Sequence, residues 1–280
     1  MKLGLFGGGF KPFTTGHFAK LANAIRDNDK VYLFYGIQSE KEPEYYKRGS
    51  KKGQEKPDKR LRPIGATGRL YTPGISKEIF DIYESAIERE LPSVEVESTI
   101  GSTPIQRILD IIEEFALDPD MYDKITIYGD GDTLRQYIRS KKYFKDLIDT
   151  GKVQLGAIPP DSPADYLDEE KLLSLIDASE KSALDSLRDY YPDLQPKPDD
   201  TEDEIERKAQ DIKRMQQVRG TEVRGFASTK ENIENAKRFL PAFLNNEEKE
   251  RIIELLLGNE ELNENQNNDI RAFIQAIIRG

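Results

Sequence analysis

The sequence contains no cysteine and no tryptophan, and its only histidine is His17. Without cysteine, the chain can form no disulfide, no thiolate metal site and no cysteine nucleophile. A single histidine also excludes a Cys/His zinc site and any site that needs two imidazoles. If an imidazole takes part in the chemistry of this protein, it is therefore the imidazole of His17.

Long apolar runs are also missing, since none approaches the roughly 20 residues that span a bilayer. The beginning of the chain, MKLGLFGGGF, is too short and too glycine-rich for a signal peptide. Charged residues make up 34% of the 280 residues, and the mean hydropathy is −0.70. These features predict a soluble, cytoplasmic protein without a membrane partner, built as one large domain or two small ones.

The net charge of −10 argues against broad nucleic-acid binding, so no nucleic-acid partner is expected. The charge is unevenly placed. From Lys47 to Arg62, eight basic residues outnumber two acidic ones, and from Asp161 to Glu206 sixteen acidic residues outnumber four basic ones. The basic stretch is either a loop that meets phosphates or a solvated insert. The acidic stretch combines a predicted helix with a proline-rich connector, 191–204, that is typical of a flexible linker.

Two kinds of apolar segment alternate along the chain: short runs typical of buried strands and longer segments with helical spacing. Short apolar runs predict buried strands at 2–7, 31–37, 124–129 and 152–158. Residues 93–99 alternate valine with glutamate, which predicts a strand at the sheet edge. Helical periods fall at 16–28, 75–90, 103–116 and 133–149, and the last 40 residues are also helical, with Asn245 and Glu248 as a capping box and Gly258 as a C-cap. The βαβ alternation predicts an α/β fold with a parallel sheet.

A glycine-rich turn, GGGFKPFTTGHF at 7–18, follows the first strand. It fails the dinucleotide pattern G-x-G-x-x-G because Pro12 takes the last glycine position, which disfavours a dehydrogenase. It also fails the Walker A pattern, because Gly16 is followed by His17 instead of lysine.

The residues of this turn nevertheless suit phosphate chemistry. Gly16 and His17 begin a helix, whose N-terminus carries partial positive charge and unpaired N–H groups. His17 can donate to phosphate oxygens, Lys11 adds a cation, and the Thr14 hydroxyl can orient an attacking phosphate oxygen. The alternative is an ordinary glycine turn with a partly buried histidine.

Six of these positions spell G-x-F-x-P-x-T-x-G-H: Gly8, Phe10, Pro12, Thr14, Gly16 and His17. The spelling resembles the (H/T)xGH signature of the nucleotidyltransferase superfamily, and is most similar to archaeal-type nicotinamide-mononucleotide adenylyltransferases and their phage relatives. The resemblance implies a Rossmann-like nucleotidyltransferase fold with five parallel strands in the order 3-2-1-4-5. It implies catalytic roles for Lys11, Thr14 and His17, and nucleotide contacts from Gly8, Gly9, Phe10 and Gly16.

A second segment, Gly220-Thr221-Glu222-Val223-Arg224, resembles the family's (I/S)SxTxxR motif. The resemblance implies a helix over the nucleotide's β- and γ-phosphates, contacted by Thr221 and Val223. Arg224 would supply catalytic charge, because its planar fork matches phosphate oxygens. Arg219 stands where the family usually has serine. The alternative is a polar helix start with a surface arginine.

A third segment, YGDGDTLRQYI at 128–138, follows a predicted strand. Ligands of this kind of fold bind outside the carboxyl ends of the strands. The resemblance therefore implies that Gly129 and Asp132 lie near the ribose and base, although Asp132 could equally cap the next helix.

Together these features predict a nucleotidyltransferase core at 1–160 and 212–240, an acidic helical insert and linker at 161–211, and a C-terminal helical segment at 241–280. The expected partners are a nucleoside triphosphate (ATP or CTP) carrying Mg²⁺ and a phosphorylated small-molecule acceptor. No metal site on the protein is expected, and a homo-oligomer is left open. The alternative is a catalytically inactive nucleotide-binding or interaction protein on the same fold. A class I aminoacyl-tRNA synthetase fragment is disfavoured, because no KMSKS-like loop is present.

Overall fold

The computed structural model describes residues 1–39, 69–100, 102–129, 146–147, 150–156, 169–228 and 232–258, and all residues of 42–65 except 43, 49, 55, 57, 59 and 60. The strands are β1 Lys2–Gly8, β2 Lys30–Ile37, β3 Arg62–Pro63, β4 Leu70–Tyr71, β5 Val94–Ile100, β6 Lys124–Tyr128 and β7 Val153–Leu155. The helices are α1 Thr15–Asp27, α2 Pro73–Glu90, α3 Pro104–Leu117, α4 Glu169–Arg188, α5 Glu202–Gln217, α6 Gly220–Phe226, α7 Ile233–Arg238 and α8 Asn246–Leu257.

Five strands form a parallel sheet in the order β5-β2-β1-β6-β7. This order confirms the predicted Rossmann-like 3-2-1-4-5 arrangement. The alternating segment is the edge strand β5, as predicted. The sequence did not predict the short antiparallel pair β3–β4, whose strands have two residues each.

The sheet is covered on both faces. Leu33 and Tyr35 of β2 point into the larger of two apolar clusters, the main apolar cluster, which also contains Phe18 of α1 and Ile79 of α2. Phe34 points to the opposite side, into a second cluster built largely on α3. Thr72 and Thr103 begin α2 and α3 by accepting from the backbone N–H three residues on, at 3.3 and 3.1 Å.

The predicted acidic insert contributes α4, which packs directly on α1. Asn23 of α1 is buried, and its side-chain oxygen accepts from the Ser182 hydroxyl at 2.8 Å and from Arg26 at 2.5 Å. The domain boundaries proposed from the sequence stay a prediction.

The connector 191–204 differs from the predicted flexible linker. Tyr191 and Leu194 pack against the main apolar cluster, so its few apolar side chains outweigh its polar composition. Asp200 pairs with Lys208 of α5 at 2.6 Å, and only 11% and 12% of the two side chains are exposed. The connector is therefore packed on the core through Tyr191 and Leu194 and paired with α5 through Asp200, which its polar composition did not predict.

We expect Lys208→Met to raise the pKa of Asp200, because the hydrogen bond from Lys208 now holds that pKa below its usual value. A carboxyl with a lowered folded pKa stabilises the fold above its ordinary pKa, and this contribution is lost as pH falls through the lowered value. An NMR titration of Asp200 measures the change. Lys213→Met, on an exposed position of the same helix, is the control and leaves the Asp200 pKa unchanged.

The predicted capping box is confirmed at α8, where Asn245 and Glu248 bond each other's backbone N–H at 2.9 Å. Gly258 follows the helix with a φ of +89°. The helices predicted at 133–149 and near the end of the chain lie largely or wholly outside the described residues. In the part of the chain that is described, no helix is long and apolar enough to cross a membrane.

Candidate active site

The glycine-rich turn lies at the carboxyl edge of the sheet, between Gly8 at the end of β1 and Thr15 at the start of α1. Phe13 and Thr14 are buried, whereas Gly9 is exposed and Lys11 is partly exposed. The loop is therefore anchored by its own side chains and offers Gly9 and Lys11 to the surface.

His17 lies in the first turn of α1 and forms a capping pair with Thr14. The backbone N–H of Thr14 donates to His17 Nδ1 at 3.0 Å. The Thr14 hydroxyl lies 2.9 Å from the same nitrogen, but its single proton is donated to the Val218 carbonyl, also at 2.9 Å. Because Nδ1 accepts, the proton of the neutral ring belongs on Nε2. The imidazole therefore carries its hydrogen-bond donor on Nε2.

Aromatic rings fix the orientation of the His17 imidazole. Its ring lies edge-on to that of Phe10, with centroids 4.9 Å apart, and 5.5 Å from that of Phe13. The Tyr83 hydroxyl donates to the Phe13 carbonyl at 2.7 Å and holds the loop from below. A Cβ on Gly8 would lie 2.4 Å from the Phe10 ring. Phe10 therefore packs against His17 on the core side, and Gly8 leaves space for the Phe10 ring.

The second motif packs directly on the first, although Thr14 and Val218 are 204 positions apart. A Cβ on Gly16 would lie 2.4 Å from the Gln216 carbonyl oxygen, and one on Gly220 would lie 2.3 Å from that of Lys11. Only glycine permits such close approach of two backbones. The two segments that resemble the family's motifs are therefore neighbours in the fold.

Arg224 of α6 is buried, with 3% of its surface exposed. Its guanidinium donates to the carbonyls of Lys11 and of Pro63, the latter at 3.0 Å, and to the Thr221 hydroxyl at 3.3 Å. Among the described residues no carboxylate pairs with it, and burial lowers its pKa. The positive charge is therefore partly compensated by neutral oxygens but not neutralised.

The other predicted contacts are distributed around this centre. Thr221 is exposed, and Val223 is buried in the main cluster. Gly129 is buried just after β6, and Asp132 lies outside the described residues. Arg219, at the position of the family's serine, is exposed and caps α6 through Glu222.

Sequence reasoning missed the residues that cover Arg224. Pro63 of β3 accepts its Nε proton, and the Tyr71 ring of β4 lies 5.8 Å from its Cζ. The hydroxyls of Tyr35, Tyr71 and Ser76 are buried and have no hydrogen bond of good geometry within the described part of the chain. Burial raises the pKa of both tyrosines, so they stay protonated donors. No sequence pattern marks strands of two residues.

No group of three or more Asp, Glu or His side chains is placed to bind a metal ion in the residues that the structure describes. The arrival of Mg²⁺ with the nucleotide stays a prediction. No protein-family model matches the chain, and no curated protein is significantly similar to it.

Proposed function

We propose that this chain is a nucleotidyltransferase. It transfers AMP from ATP, or CMP from CTP, to a phosphorylated small-molecule acceptor and releases pyrophosphate, and nicotinamide mononucleotide is one candidate acceptor. The observation that carries the proposal is the backbone-on-backbone packing of the two motif segments. It gathers the His17 donor, the N-terminus of α1, Lys11 and the Arg224 charge around one short loop at the end of β1.

In the proposed reaction an acceptor phosphate oxygen attacks the α-phosphate in line, and pyrophosphate leaves without a covalent enzyme intermediate. Catalysis then consists of positioning and of stabilising negative charge. His17 donates from Nε2 to a phosphate oxygen, and the N–H groups of α1 add partial positive charge. Mg²⁺, when bound to the triphosphate, shields its negative charge.

Two predicted catalytic side chains make other contacts in this structure. The Thr14 hydroxyl donates to Val218, and Arg224 donates to backbone carbonyls beneath the β3–β4 pair. In this arrangement Thr14 positions His17. Arg224 stabilises the negative charge of the phosphates through its electrostatic field, without a direct hydrogen bond to them. A direct contact with phosphate requires Thr14 to leave Val218, or the β3–β4 pair to uncover Arg224.

The same observation favours a second candidate, a nucleotide-binding or interaction protein without catalytic activity. In such a protein Thr14 and Arg224 would serve only to join the two motif segments.

One screen separates the two candidates. Pyrophosphate release is measured with ATP, CTP, GTP and UTP, each with Mg²⁺, against phosphorylated acceptors that include nicotinamide mononucleotide. Release with one pair supports the transferase. Binding of a nucleotide without release from any pair supports the inactive binding protein.

Gly9→Ala tests whether phosphate approaches this loop. A Cβ at Gly9 would meet no atom within 4 Å, and its φ is not in the left-handed region, so the free energy of unfolding should be nearly unchanged. If a phosphate lies against the loop, the added methyl group should weaken nucleotide binding, measured by calorimetry. Unchanged nucleotide affinity in a stable Gly9→Ala variant would place the phosphates elsewhere.

A further inference from the structure

Part of the basic stretch forms a defined hairpin, whose described residues are 44–48, 50–54 and 56. The Tyr46 N–H donates to the Gln54 carbonyl and the Gly53 N–H donates back to Tyr46, both at 2.9 Å. The Lys56 N–H donates to the Glu44 carbonyl at 2.6 Å, and Gly53 turns the chain with a φ of +83°. This basic hairpin therefore has a backbone structure of its own.

Four exposed basic residues lie in the turn of the basic hairpin, between Tyr46 and Gly53. They are Lys47, Arg48, Lys51 and Lys52. Of the residues the structure describes, no carboxylate forms an ion pair with these four side chains. The hairpin's own described ion pair joins Lys56 to Glu44 at 3.6 Å. In a protein of net charge −10, unpaired cations in one place create a local positive potential for a polyanion.

Aromatic side chains accompany these cations. Tyr45 is 53% exposed, and the Tyr46 ring lies 5.9 Å from the ammonium groups of Lys51 and Lys56. Aromatic rings and cations on one surface are the combination that binds nucleotides, because the base stacks while the phosphates pair.

The basic hairpin is tethered to the candidate active site. Pro63 follows Lys56 by seven positions, which is a span of at most about 25 Å. The Pro63 carbonyl accepts from Arg224, and Ile64 is buried in the main apolar cluster. A Cβ on Gly65 would lie 2.2 Å from the Ser228 side chain, so this end of the tether is packed closely beside α6.

We propose that the basic hairpin is a second phosphate-binding element, and that its ligand is of nucleotide type with more than one phosphate. The assignment of this ligand as the acceptor rests on the function proposed above, and it disfavours nicotinamide mononucleotide, which has a single phosphate. Two kinds of ligand carry phosphates beside a base that can stack: a free nucleotide and the 5′-phosphorylated end of a single nucleic-acid strand.

A binding experiment tests this without turnover. Lys47, Arg48, Lys51 and Lys52 are replaced together by glutamine in the full chain. The control replaces four exposed basic residues of α4, α5 and the connector by glutamine: Lys181, Lys197, Arg207 and Lys213. Both variants have a net charge of −14, so general repulsion of anions is matched. Inorganic tripolyphosphate and a 5′-phosphorylated deoxythymidine decamer are titrated at several salt concentrations.

We expect the hairpin variant to bind at least one probe about tenfold more weakly than the control variant, a difference of about 1.4 kcal/mol. For the decamer, loss of four phosphate contacts should also make the slope of log affinity against log salt shallower by about 3. A hairpin-dependent loss for the decamer alone identifies a single strand, and a loss for tripolyphosphate identifies a smaller phosphate-rich ligand. Equal affinities of the two variants for both probes overturn the proposal. Hairpin-dependent binding in a protein that releases no pyrophosphate supports the hairpin site and contradicts the transferase.

Discussion

Replacing His17 by alanine is expected to slow pyrophosphate release roughly 100- to 1000-fold, the usual cost of removing one preorganised donor to a developing anion. The structure presents that donor as Nε2–H, because Nδ1 accepts from the Thr14 backbone. The fold should survive, because His17 is partly exposed and the substitution removes one capping bond, worth about 1 kcal/mol, and the ring contacts with Phe10 and Phe13. Initial rates and thermal unfolding measure the two effects.

His17→Gln separates the capping role of His17 from its role as a hydrogen-bond donor to phosphate. Glutamine at the third helical position can restore the bond from the Thr14 N–H, as in other capping boxes, but it has no imidazole. We expect it to recover stability and not activity. Thr14→Val should lower stability, because it leaves the buried Val218 carbonyl without its donor and costs about 1–3 kcal/mol. Full activity of His17→Ala would refute the assignment of the site.

Replacing Gly220 by alanine is expected to lower the free energy of unfolding by about 1–3 kcal/mol or more, because the new methyl group enters the space of a backbone carbonyl. Its Cβ would lie 2.3 Å from the Lys11 oxygen and 2.9 Å from that of Pro12. Relief of the clash must separate α6 from the loop before α1. Nucleotide binding should therefore fall together with stability.

Gly225, on the same helix, provides the matched control. It is exposed and a Cβ there would meet nothing within 4 Å, so Gly225→Ala should be neutral or should stabilise the helix by roughly 0.5–1 kcal/mol. Urea unfolding of the two variants gives the comparison. Equal stabilities for Gly220→Ala and Gly225→Ala would show that the two motif segments are not held by close backbone contact.

The parallel sheet was predictable because each central strand is buried on both faces and so consists of a continuous apolar run. The edge strand was predictable for the opposite reason, since the glutamates of β5 alternate with Val94, which is buried, and Val96, which is half-buried. The contacts of the connector 191–204 were not predicted. Its composition is polar, but Tyr191 and Leu194 reach the core and the Lys208–Asp200 pair is shielded from solvent. Average composition does not show where individual side chains will pack.

The amino-acid sequence by itself determined the α/β architecture, the position of His17 in the first turn of α1 and the residues of two candidate motifs, because these depend on local period, glycine placement and spacing. Only the tertiary structure showed that the Thr14 hydroxyl donates to the Val218 carbonyl, 204 positions away, so that Nδ1 of His17 accepts from the Thr14 backbone N–H and the ring proton lies on Nε2. It also decided that Arg224 lies beneath β3 and β4 and donates to Lys11 and Pro63. Those contacts join residues 161 and 213 positions apart in the chain, and no local pattern encodes so distant a pairing.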